Sequence, residues 1–65
     1  MTISFGKNLA FFRRKARLSQ EGLARKLNIS RQSISKWEQG ISLPSILYLV
    51  PLTKILNCSL EDLLK

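Results

Sequence analysis

Leu18-Ser19-Gln20-Glu21-Gly22-Leu23-Ala24-Arg25-Lys26-Leu27-Asn28-Ile29-Ser30-Arg31-Gln32-Ser33-Ile34-Ser35-Lys36-Trp37-Glu38-Gln39-Gly40 reads as two short helices and the turn between them. Ser19 and Ser30 can each accept a hydrogen bond from an otherwise unpaired amide of the turn that follows, so each opens a helix. Leu23, Ala24 and Leu27 recur at helical spacing and mark the buried face of the first helix. Asn28 tolerates the left-handed conformation that a helix end favours, and Ile29 drops into the core between the helices. Ile34 and Trp37 give the second helix an inward stripe, and Gly40 closes it. Gly22 is the misfit, because a glycine inside a helix costs about 1 kcal/mol relative to alanine.

Two helices joined by a turn of about three to four residues make a helix-turn-helix, here spanning roughly residues 19–40. The second helix leaves Arg31, Gln32, Ser33, Ser35, Lys36 and Gln39 on its other faces. Arginine can bond guanine O6 and N7 in parallel, worth about 1–3 kcal/mol of discrimination, and glutamine fits adenine N6 and N7. The plain alternative for Arg31 is a solvated cation, but its charge opposes the helix dipole at that position and so needs another reason. Gln32 could equally be a surface glutamine, and Lys36 could reach a base or a phosphate. Ser33, Ser35, Gln39 and Ser42 are candidate phosphate ligands; Ser30 is a cap first and a phosphate ligand second. Trp37 could stack on a base, but its spacing from Ile34 turns it inward.

Bulk properties agree with an anionic partner. The chain carries 11 basic and 4 acidic residues, a net charge of +7. Eight of the 11 basic residues fall between Arg13 and Lys36, while Glu61 and Asp62 lie near the far end. Sixty-five residues make one small domain over 1–65, which buries only about 60% of its unfolded surface. There is no low-complexity tract or internal repeat. The longest apolar stretch, Ile46 to Leu52, falls far short of the roughly 20 residues that span a bilayer. The N-terminus carries no secretory pattern, and one cysteine forms no internal disulfide, so a cytoplasmic location is expected. With no histidine, four carboxylates and no nucleophile–base pair, zinc-finger and triad chemistry are absent. Neither an enzyme nor a metal, cofactor or small-molecule ligand is expected. Cys58 lacks a basic neighbour or a second cysteine and reads as a buried filler.

Outside the central pair, Phe5, Leu9, Phe12 and Ala16 are spaced by four, three and four, which predicts an amphipathic helix over about residues 5–16. Its polar side carries Lys7, Arg13, Arg14 and Lys15, and Arg17 sits where a helix-ending glycine would be more comfortable. Residues 41–44 form a loop stopped by Pro44. Ser45 can cap a fourth helix reaching about Leu56, bent by Pro51 and ended by Asn57. Ser59 caps a last helix, Leu60 to Lys65. Five helices and no strand pattern predict an all-α five-helix bundle.

Taken together, Arg13, Leu18-Ser19-Gln20, Leu23-Ala24, Leu27, the run Ile29 to Glu38, Gly40, Leu43-Pro44, Ser59-Leu60 and Leu63-Leu64 resemble the Cro/phage-repressor (XRE) type of helix-turn-helix. The resemblance covers about residues 5–64. It implies the lambda-repressor-like fold of cytoplasmic bacterial and phage transcription regulators that bind operators as dimers. It implies base reading by Arg31, Gln32 and Lys36, and backbone contact by Ser33 and Gln39. It implies that Gln20 contacts a phosphate and buttresses the recognition helix, and that Arg13 and Glu38 form an internal salt bridge. The 41–45 loop, with Ser42 and Ser45, and the amino end of the fourth helix would hold phosphates. The chain departs from the pattern at Arg17 and Asn57, where glycine is common, and at Gly22. It departs again at Phe11, Leu47, Tyr48 and Pro51, where polar residues are usual.

These readings predict a sequence-specific double-stranded-DNA-binding transcription regulator, most simply a homodimeric repressor on an inverted repeat. Leu47, Tyr48 and Pro51 lie at i, i+1 and i+4 and are expected to share one face, read either as an apolar docking face or as the side of a helix more deeply buried because Pro51 bends it. Leu60, Leu63 and Leu64 are the other candidates for a dimer surface, with core packing as the alternative. Two other classes compete: a protein-interaction module such as an antitoxin with DNA secondary, and a cationic membrane-active peptide. The caps argue against the second, because they specify a folded bundle.

Overall fold

The computed structural model describes residues 4–65. Five helices follow one another: α1 Phe5–Lys15, α2 Gln20–Leu27, α3 Arg31–Gln39, α4 Ile46–Leu56 and α5 Leu60–Leu64. No strand occurs among the described residues.

Local chemistry sets the boundaries. Ser19 Oγ accepts the Gly22 amide at 2.8 Å, and Ser30 Oγ accepts the Ser33 amide at 3.3 Å. Ser59 and Asp62 form a reciprocal capping box, both bonds at 3.0 Å. Ser45 occupies the N-cap position of α4 but its hydroxyl makes no capping bond, contrary to expectation. A Cβ on Gly22 would stand 3.2 Å from the Ser19 hydroxyl, so the misplaced glycine keeps a cap uncrowded.

Four helix ends close alike. Arg17, Asn28, Gly40 and Asn57 have positive φ. After each, the next amide reaches back to a carbonyl of the helix's last turn: Leu18 to Arg13, Ile29 to Ala24, Ile41 to Lys36 and Cys58 to Thr53. The first closure stops α1 at Lys15, so Ala16 is an exposed cap residue rather than the fourth member of the buried stripe. Arg17 holds φ +61° without being glycine.

The core gathers Phe5, Leu9, Leu23, Ala24, Ile34, Trp37, Leu52, Leu56 and Leu63, with Phe12, Leu18, Leu27, Ile29, Tyr48, Leu49, Ile55 and Cys58 packed against it. Helix α1 packs on α3 and α5, and α2 on α3 and α4. Gly6 permits the α1–α3 approach: a Cβ there would collide with the Glu38 carbonyl and lie 2.8 Å from the Trp37 carbonyl oxygen. Burial, with the Asp62 carboxylate adding to it, pushes the Cys58 thiol up and keeps it protonated.

Packing divides the expected dimer residues. Leu63 is fully buried, held on the α1 side where Asn8 Nδ2 donates to its carbonyl at 3.0 Å, so it belongs to the core. Tyr48 is half-buried, its ring 5.7 Å from that of Trp37, and Pro51 is half-buried too. Leu47 stays exposed. Consecutive residues on a helix of about 3.6 residues per turn point roughly 100° apart, so Leu47 faces out while Tyr48 faces in. Leu60 and Leu64 remain exposed. Helix α4 runs through Pro51, which leaves the Leu47 carbonyl without its intrahelical donor.

Candidate nucleic-acid interface

A chain of polar contacts links α1, α2 and both ends of α3. Arg13 Nε lies 2.6 Å from Glu38 Oε2, with both side chains nearly buried at 10% and 8% exposure. The guanidinium adds a 3.2 Å bond to Glu38 Oε1 and a 2.8 Å bond to the Leu18 carbonyl. Bidentate, charge-assisted geometry of this kind fixes orientation as well as charge. Gln20 Nε2 donates to the same Glu38 Oε1 at 2.9 Å. The Gln20 carbonyl oxygen in turn accepts from Arg31 Nη1 at 3.4 Å. The first side chain of α3 is thus steered from its last turn, through a glutamine on α2.

Arg31, Gln32 and Lys36 are exposed, and with Ser35, Gln39 and Ile41 they line one shallow, open concavity. Arg31 spends one N–H on Gln20, which leaves the remaining donors of its fork for an acceptor pair. Gln39 Nε2 donates to Ser35 Oγ at 2.7 Å across one turn. Ser30 and Ser33 hydroxyls meet at 3.2 Å at the amino end of α3. Ser42 and Ser45 are exposed on the segment joining α3 to α4. Seven of the expected residues therefore belong to the recognition helix or its cap and two stand on the following loop, while Gln20 sits one layer back as a brace.

Ile41 is the residue that sequence reasoning missed. An apolar residue follows each of the four left-handed closures, and Leu18, Ile29 and Cys58 pack against the core. Ile41 makes the same amide bond, to Lys36 at 2.9 Å, yet it alone of the four is exposed, where it lines the concavity. Its repeated place after a helix-ending residue is visible in the sequence; its outward direction is not.

Residues 9–63 match the family model described as helix-turn-helix. The chain belongs to the XRE-type helix-turn-helix family. It is 37% identical over 57 residues to the HTH-type transcriptional regulator DicA of Escherichia coli, a match over 88% of this chain and 42% of that protein. It is 36% identical over 62 residues to the HTH-type transcriptional activator BcrR of Enterococcus faecalis, covering 95% of this chain and 30% of that one. The chain thus spans less than half the length of these two curated relatives. Among solved structures it is similar to the P22 c2 repressor in complex with a synthetic operator, with TM-score 0.89, 33% identity and coverage of 98% and 97%. It is also similar to the restriction-modification controller protein C.AhdI of Aeromonas hydrophila, with TM-score 0.83, 28% identity and coverage of 92% and 91%. The all-α helix-turn-helix fold expected from the residues is the fold observed.

Proposed function

We propose that this helix-turn-helix chain is the DNA-binding part of a cytoplasmic, sequence-specific transcription regulator, most simply a repressor that binds an inverted-repeat operator as a homodimer. The observation that carries the reading is the outer face of α3, where Arg31, Gln32 and Lys36 project together from a helix braced by Glu38 and Gln20. The similar P22 c2 repressor is seen in complex with an operator, which supports the same mode for this chain. Helix α3 enters the major groove, Arg31 and Gln32 read base edges, and Lys36 reaches a base or a phosphate. Ile41 supplies an apolar contact of the kind a thymine methyl accepts. Ser30, Ser33, Ser35, Gln39, Ser42 and Ser45 hold the phosphate backbone, and Gln20 combines its bracing role with a phosphate contact. The exposed Lys and Arg residues supply the salt-dependent attraction.

Selection from a random duplex pool at near-physiological salt, followed by sequencing, tests this. The expected result is an enriched inverted repeat with half-sites about 34 Å apart. Binding without enrichment that vanishes as salt rises would refute sequence-specific regulation.

A further inference from the structure

Leu43, Ile46, Leu47 and Val50 are 73%, 60%, 79% and 49% exposed. On α4, Val50 lies four residues after Ile46 and three after Leu47, so the three share one face, and Leu43 stands just before that helix. Helix α4 is therefore not a helix buried all round. It buries Leu52 and Leu56 and offers a second, opposite set of apolar side chains to solvent. Four such side chains expose on the order of a few hundred Å², the size at which an apolar patch on a monomer is commonly functional.

The charge pattern names the occupant. From Gln39 to Thr53 the sequence carries no charged residue, its longest uncharged run, in a chain of net charge +7. Two such chains repel through their basic faces, and within a screening length of about 8 Å that repulsion is strong. An uncharged apolar face is where two copies can approach. We infer that Leu43, Ile46, Leu47 and Val50 form a self-association surface on which a second copy of this chain docks. This rests on the dimeric regulator proposed above and assigns its interface to α4, away from the buried Leu63. A twofold contact centred on the patch would bury on the order of 1,000 Å² in total, the lower limit for a specific interface. Association in free solution is consequently weak, and two adjacent half-sites complete it by holding the copies together.

Sedimentation equilibrium without DNA at ~0.15 M salt reads the surface directly, with Leu47→Glu and Val50→Glu compared against Phe11→Glu. Phe11 is also a large exposed apolar residue, on α1. Circular dichroism and thermal melts establish that each variant is folded. The expected result is a monomer–dimer equilibrium weakened about tenfold or more by either α4 substitution and unchanged by Phe11→Glu. Binding of Val50→Glu, which lies one turn beyond the amino end of α4, to a single half-site stays within about twofold of the parent, while cooperativity on paired half-sites is lost. A parent chain that stays monomeric up to ~1 mM and binds paired half-sites without cooperativity overturns the inference, and leaves the face to another protein. So does a dimer that Leu47→Glu and Val50→Glu leave intact. Because the sedimentation arm contains no DNA, failure of the DNA-binding reading and failure of this interface are separately visible.

Discussion

Glu38→Ala should cost more stability than any other single truncation on the polar side of the bundle. The carboxylate receives two bonds from Arg13, at 2.6 and 3.2 Å, and one from Gln20 at 2.9 Å. Removing it leaves the Arg13 guanidinium nearly buried, with the Leu18 carbonyl as its remaining protein partner. Breaking a buried pair from one side costs about 3–5 kcal/mol, because the uncompensated charge stays desolvated. A chain of this length has a total stability of about 3–10 kcal/mol, so the variant should sit near the edge of folding. At about 4–8 °C per kcal/mol, the melting midpoint should fall by more than 10 °C. Arg13→Met/Glu38→Leu together removes both charges and should lose less than Glu38→Ala alone, apart from about 1–3 kcal/mol for the Leu18 carbonyl if water does not reach it. Urea unfolding of Glu38→Ala, and of Arg13→Met, Glu38→Leu and their double variant read as a double-mutant cycle, is the assay. A Glu38→Ala cost below about 1 kcal/mol, or a double variant as damaged as the sum of the singles, would refute the claim that this pair is tightly coupled.

Gly6→Ala should destabilise the bundle by about 1–3 kcal/mol in urea unfolding, despite alanine's better helix propensity, because its methyl must displace the Glu38 carbonyl. An unchanged or higher midpoint would mean that α1 and α3 separate freely. Arg31→Ala should relax base preference at one position by about 1–3 kcal/mol, whereas Arg14→Ala should weaken binding to all duplexes and lower the salt slope by about one. Competition between matched and scrambled duplexes separates the two, and equal losses of specificity would contradict the division. The Asp62 carboxyl is held below its usual range, first by the Ser59 amide and then by the Ser59 hydroxyl, with Lys65 and Lys15 assisting. A carboxyl lowered on folding stabilises the folded chain above its ordinary titration range, and that contribution is lost as pH falls through the lowered value. Acid should therefore loosen α5 first, read as amide exchange at Leu63 and Leu64, and Asp62→Asn should remove that pH dependence; an identical acid profile in the variant would disprove the linkage.

What could be read from residues alone was the local part. Serines at 19, 30 and 59 start helices because a hydroxyl captures one of the first unpaired amides within its own turn, whereas Ser45 holds the same position without that bond. Asn28, Gly40 and Asn57 stop helices because left-handed backbone costs them little, and Arg17 stops one at the predicted place in spite of its side chain. These interactions span three to five residues, so the residues present suffice to place them. The candidate reading face followed from the same logic, since Ile34 and Trp37 define which side of α3 is inward and leave Arg31, Gln32 and Lys36 outside.

What only the tertiary structure decided was how equivalent apolar residues divide between inside and outside. Leucines at 47, 52 and 63 look alike in sequence, yet Leu47 lies on the solvent side of α4 while Leu52 and Leu63 are in the core. That choice depends on which neighbouring helix occupies each face, and α4 is apolar on nearly every side, so its own periodicity cannot make it. The value of Gly6 is likewise invisible until α3 is laid against it, and the tie from Glu38 through Gln20 to Arg31 exists only because α2 and α3 cross there. Local hydrogen bonds decide where a helix begins and ends; burial is a property of pairs of helices, and the sequence of one helix does not contain its partner.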